Sequence, residues 1–250
     1  VAHEFFHAIQ RAYRASSATP TNVSYFYEFS SMWIEDVIVP DGNDYLHFIE
    51  SSADERRFFS NPEQKFSDTD GYSVALYGHY LSSIIEGIED ETLNTIIREA
   101  WEKFADESLD PIDALDAVLS EYNSSFIDSW VDFCSRNFHN GQFPDMNNDI
   151  YYYIDQTSTV LDELEITNSN LHQGYMNLNE SIDTLSLLGD DNLLEFELND
   201  LSVEIHSIVA DSLGLLTMNY SALPSLGKYI ITEVESPNKD NAQVNDVSSD

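Results

Sequence analysis

One cysteine, Cys134, stands in a chain of 250 residues. No disulfide can form within it, so a fold held by disulfide staples is excluded. Cys134 sits beside Trp130, Val131 and Phe133, which predicts a buried thiol. Exported bacterial enzymes often lack disulfides, so a lone cysteine leaves export open. Basic residues are scarce as well: 10 Lys and Arg face 46 Asp and Glu, a formal net charge of −36. Such a chain is repelled by nucleic acid and by anionic membrane surfaces. No apolar run reaches the ~20 residues of a membrane span, and no signal peptide is visible. There is no Gly-x-Ser-x-Gly elbow and no phosphate-binding glycine loop, which leaves a serine hydrolase or a nucleotide enzyme without support.

What is present suits a globular protein. The hydrophobic fraction is 42% and the aromatic fraction 12%, enough to build the core of one large domain or two modest ones. The acidity reads first as a solvated surface suited to a saline habitat and second as a source of calcium sites. Asp145-Met-Asn147-Asn-Asp149 imitates the opening of a calcium loop, but Ile150 replaces its glycine and Gln156 its closing glutamate. An EF-hand is therefore not expected, and a looser Ca2+ site between the two halves of the chain stays open.

The pattern changes near residue 145. Residues 1–144 predict helices: Ala2 to Arg14, Phe26 to Ile38, Gly71 to Gly87, Glu91 to Ala105, a helix through Tyr122 capped by Asp110-Pro111, and Ser125 to Asn137. Apolar residues at helical spacing and proline at a first helical position carry these assignments. Residues 145–235 contain short β-rich stretches parted by Asn, Asp, Gly and Ser, among them Ile182 to Leu188, Val203 to Val209 and Tyr229 to Val234. That spacing predicts a β-sandwich. The expected class is α+β, a helical unit followed by a sandwich, with 236–250 a disordered tail or linker. The charge runs through both parts, with 26 acids and 8 bases up to residue 141 and 20 and 2 beyond it.

The chemistry is concentrated near the start. His3-Glu4-Phe5-Phe6-His7 is a His-Glu-x-x-His pattern. Residues four apart share a helical face, so His3 and His7 can turn toward one metal ion. Glu4 is near enough to reach a metal-bound water without ligating. The neighbours Val1, Ala2, Phe5, Phe6, Ala8 and Ile9 are all uncharged. They predict a buried helix, in which two histidines need a partner. Glu28 follows His7 by 21 positions on the next helix, and a helical hairpin can bring it back. Glu35 lies two turns further on, sharing a face with Glu28 and with Ser31 between them. One carboxylate can ligate while others stand behind the ligands and orient the histidines.

This arrangement resembles the gluzincin clan of zinc peptidases, of which thermolysin is the familiar member. It is similar in detail to a group of exported bacterial metalloproteases. That group's first helix reads His-Glu-x-Phe-His-x-Ile-Gln, matched from His3 to Gln10. Its second reads Glu-x-x-Ala-x-Trp-x-Glu-Asp, matched from Glu28 to Asp36 with Ser31 in place of Ala. A turn matching from Pro40 to Tyr45 and a helix matched by Tyr72, Tyr77, Tyr80 and Leu81 extend the likeness over roughly 1–140.

The resemblance implies an exported or cell-surface bacterial zinc endopeptidase. His3, His7 and Glu28 would be the ligands, and the Zn2+ would activate water and polarise the scissile carbonyl. Glu4 would be the general base. Tyr72 is the candidate donor to the oxyanion, with Tyr77 and His79 as rivals, although tyrosines at this spacing also suit a core. Glu35 and Asp36 would orient the ligands or simply lie on a solvated helix face. His47, His139, His172 and His206 read as structural. The expected partner is a protein or peptide substrate, and the protein is expected to be a monomer. Val1 stands two residues before the catalytic motif, so upstream sequence is expected, including the sheet against which gluzincins hold extended peptide. The competing class is a non-catalytic surface or adhesive protein that keeps the scaffold, against which the intact Glu4 argues.

Overall fold

A computed structural model describes residues 1–13, 23–40, 42, 44–50, 57–59, 61–62, 64–106 and 109–140. It also describes the backbone of four short strands. Helix α1 is Ala2–Tyr13, α2 is Ser24–Ile38 and α3 is Leu46–Glu50. After 3-10 turns at Phe66–Asp68 and Tyr72–Val74, α4 covers Leu76–Tyr80 and continues into a π-helical turn, Leu81–Glu86. Helices α5 (Ile96–Asp106), α6 (Pro111–Leu119) and α7 (Phe126–Asn140) complete this region.

Local chemistry sets several of these boundaries. Asp110 caps α6 by accepting hydrogen bonds from the backbone N–H groups of Ile112 at 2.9 Å and Asp113 at 3.0 Å, with Pro111 supplying the preset φ of a first helical residue. The helix expected from Glu91 starts later. Asp90 caps only a 3-10 turn, Glu91–Leu93, and the Asn94 side chain then accepts the N–H of Ile97 at 3.0 Å to open α5. The continuous helix expected over Gly71 to Gly87 is instead built in three pitches and ends at Gly87, whose φ of 71° lies in the left-handed region.

Aromatic side chains form most of the core. Phe26 stacks on Trp101 with centroids 4.7 Å apart, tying α2 to α5. The Trp130 ring of α7 meets Phe66 at 4.7 Å and Tyr77 at 5.3 Å, edge to face. Each of these fully buried rings contributes roughly 1.5–3 kcal/mol through loss of apolar surface from water. Helices α2 and α4 approach closely at Gly78, where a Cβ would lie 2.5 Å from the Trp33 ring. Cys134 is buried as expected. Its thiol pKa is pushed well above the usual range by burial and by the charge of Asp132.

The expectation of a buried α1 is corrected. His3 and Gln10 are buried, but Val1, Phe5, Ala8 and Ile9 are exposed. The helix packs mainly along one face, on α2 with a smaller contact to α5. The uncharged residues therefore occupy more of its circumference than its neighbours cover.

The strands are β1 (Glu180–Leu185), β2 (His206–Ala210), β3 (Ile230–Val234) and β4 (Ala242–Asp246). β1 pairs with β2 in parallel, and β3 with β4 antiparallel. Strands β1 to β3 overlap three of the expected β stretches, while β4 falls in the expected tail. The expected sandwich as a unit, the loop from Asp145 to Asp149, and the side chains of His139, His172 and His206 lie outside the described residues. Among the described residues no helix is long and apolar enough to cross a membrane.

Candidate metal centre

The centre lies where α1 packs on α2. His3 and His7 are one turn apart on α1, with rings edge to face at 4.7 Å. Both present Nε2 to the same oxygen of Glu28 on α2. Oε2 of Glu28 lies 3.0 Å from His3 Nε2 and 3.4 Å from His7 Nε2. One ligating atom from each of the three residues falls within 4.8 Å of the others. Donors on a tetrahedron about 2.0–2.2 Å from zinc stand roughly 3.3 Å apart, and the two separations to Glu28 lie near that value. Two imidazoles and a carboxylate are also a donor set that zinc accepts.

The far side of each imidazole is different. His3 Nδ1 is buried without a hydrogen-bond partner among the described residues, and a carboxylate oxygen of Glu35 lies 3.9 Å away. His7 Nδ1 is engaged, lying 2.7 Å from Gln10 Oε1 and 3.1 Å from Ser31 Oγ. Glu28, Ser31 and Glu35 thus line the face of α2 that meets α1. Gln10 is 1% exposed. Its Nε2 faces the carbonyl of Tyr27 at 2.9 Å and the hydroxyls of Ser30 and Ser31 at 3.0 Å each. Sequence reasoning gave Gln10 no role. The available signal was its spacing, three residues after His7 and seven after His3 on the same helical face.

Tyr72 reaches the centre from the 3-10 turn before α4. Its ring stacks on His3 at 5.6 Å, and its other neighbour is Phe48 at 4.7 Å. Burial, then a hydrogen bond and the charge of Glu28, push its pKa upward, so the hydroxyl stays protonated and donates to that carboxylate. The chain can bring Tyr72 here because Gly71 precedes it. Gly71 has φ 82°, and a Cβ would stand 2.4 Å from the Tyr25 carbonyl oxygen and 2.8 Å from Glu28 Cβ. Asp70 fixes the turn by accepting the N–H of Ser73 at 3.1 Å and its hydroxyl at 2.9 Å. Glu4, one residue along from His3, is solvent-exposed.

Three other residues considered from the sequence fall elsewhere. The Tyr77 hydroxyl is buried against Ser129 Oγ at 2.6 Å, so this tyrosine belongs to the core. His79 is buried with Nδ1 2.9 Å from both oxygens of Glu91 and Nε2 3.3 Å from Asp36. Asp36 therefore faces His79. Burial alone would lower the His79 pKa, but the hydrogen bond and charge of Glu91, with the charge of Asp36, outweigh it and raise the pKa. Glu91 also accepts the Trp33 indole N–H at 3.1 Å.

Comparison with known families, curated proteins and solved structures yields no match to this chain. The functional reading therefore rests on the residues themselves.

Proposed function

We propose that this chain is the catalytic part of an exported, zinc-dependent endopeptidase of the gluzincin type, in an α+β protein. The observation that carries the reading is the convergence of His3 Nε2, His7 Nε2 and a Glu28 oxygen on one point. In this reading the three residues would hold Zn2+, which would supply an activated water and polarise the scissile carbonyl. Glu4 would take the proton that the attacking water gives up as its oxygen adds to the carbonyl carbon. Glu4 would then return the proton to the leaving amine as the C–N bond breaks. Tyr72, held protonated beside Glu28, would turn its hydroxyl from that carboxylate to the developing oxyanion. Glu35 stands behind His3, and its carboxylate would accept a hydrogen bond from Nδ1–H once Nε2 is committed to metal.

The deciding experiment is elemental analysis of the purified chain beside a His3→Ala/His7→Ala variant. About one zinc per chain, absent from the variant, is the expected outcome. Zinc in neither protein, or equally in both, would overturn the reading.

A further inference from the structure

The hydrogen bonds of Gln10 determine which nitrogen of His7 carries its proton. A carbonyl oxygen only accepts hydrogen bonds. The Gln10 atom 2.9 Å from the Tyr27 carbonyl must therefore be the amide nitrogen. Turning the amide over would set two carbonyl oxygens against each other at that distance. Ser30 offers no rescue, because its hydroxyl already donates to the Phe26 carbonyl at 2.7 Å and accepts the Trp101 indole N–H at 3.1 Å. With the amide so fixed, its oxygen is the atom 2.7 Å from His7 Nδ1. Two lone pairs cannot face each other at that separation, so Nδ1 must carry a hydrogen.

The geometry points to Gln10 as a positioning residue. It holds His7 as the Nδ1–H tautomer and keeps the Nε2 lone pair available for a cation shared with the Glu28 oxygen 3.4 Å away. Neutral histidine in water favours the opposite tautomer, so the buried amide sets a state that the side chain would not choose by itself. Its own orientation is locked through Ser30 to Trp101 on α5, which makes the packing of α2 on α5 part of the site's construction. The partner is a neutral amide, whereas behind His3 a carboxylate oxygen of Glu35 lies 3.9 Å from Nδ1. The two imidazoles are therefore supported unequally. Ser31 lies within 3.1 Å of the same nitrogen, but it is one acceptor beside a better-placed one and should be dispensable.

This inference concerns the centre proposed above, but its first test does not depend on that reading. Long-range proton–nitrogen NMR of the metal-free full chain distinguishes Nδ1–H from Nε2–H histidine. At a pH where His7 is neutral, it should be the Nδ1–H form. Gln10→Met, of similar volume and without the amide, should let His7 redistribute toward Nε2–H, whereas Ser31→Ala should leave it unchanged. Zinc affinity measured by chelator competition should fall about 10–100-fold in Gln10→Met and little in Ser31→Ala. His7 found as Nε2–H in the wild type overturns the inference even if no variant folds. An unchanged tautomer in Gln10→Met overturns it too. A wild type that binds no zinc but shows Nδ1–H at His7 would sink the peptidase reading and leave the role of Gln10 standing.

Discussion

Glu4 and Glu28 are both carboxylates, yet they should answer differently to substitution. Glu4 is exposed and on the proposed reading is no ligand, so Glu4→Gln should leave zinc binding intact and lower any peptide hydrolysis by at least about 10²-fold, the lower range for a lost general base. Persistent turnover would remove Glu4 from that role. Glu28 faces both imidazoles, so Glu28→Ala should weaken zinc binding by well over tenfold in chelator competition, and unchanged affinity would point to another ligand. At this scale the sequence was informative where spacing alone decides geometry. His3 and His7 are one turn apart, and Glu28, Ser31 and Glu35 follow one face of α2. It was uninformative where partners meet across the fold. Glu91 lies 12 residues from His79 and Asp36 lies 43 before it, and nothing local links them. Gln10 was legible only as a buried polar residue in a row with two histidines.

The His79 cluster joins three elements, with Asp36 on α2, His79 on α4 and Glu91 in the turn before α5. Its folded-state pKa is raised. The stability it adds is therefore fully present below the ordinary imidazole value of about 6.5 and is lost as pH climbs through the folded value. Denaturant midpoints should decline from about pH 6.5 upward, and His79→Gln should flatten that decline while lowering stability at the acid end. Equal slopes in the two proteins would remove His79 as the cause. Among the elements, caps with local chemistry were readable, as at Asp110-Pro111. The broken pitch from Tyr72 to Glu86 was not. There the left-handed Gly71 turn fits against α2, and Gly78 lies under Trp33, so tertiary contacts impose a shape that periodicity alone does not encode. The exposed apolar side of α1 has the same origin, since a pattern of uncharged residues cannot say which of them a neighbour will cover.

At the scale of the whole molecule the charge of −36 dominates. Self-repulsion opposes folding, and it weakens as the Debye length shrinks from about 10 Å at 0.1 M salt to about 3 Å at 1 M. The melting temperature should rise over that range, and it should rise with sodium chloride as well as with sulfate. A flat or falling response to chloride would mean that paired charges such as Arg57 with Asp70 outweigh the net repulsion. The same molecule carries its own stopwatch. Cys134 is the chain's one thiol, 4% exposed on α7, with its pKa driven upward by burial. An alkylating reagent can reach it as a thiolate only when that helix leaves the core. Labelling of the native protein should therefore be slow and should accelerate with denaturant in step with the loss of helical signal. Mass spectrometry of a single adduct then reads how often the helical unit opens, with no label introduced. Rapid labelling without denaturant would show that α7 leaves the core under native conditions.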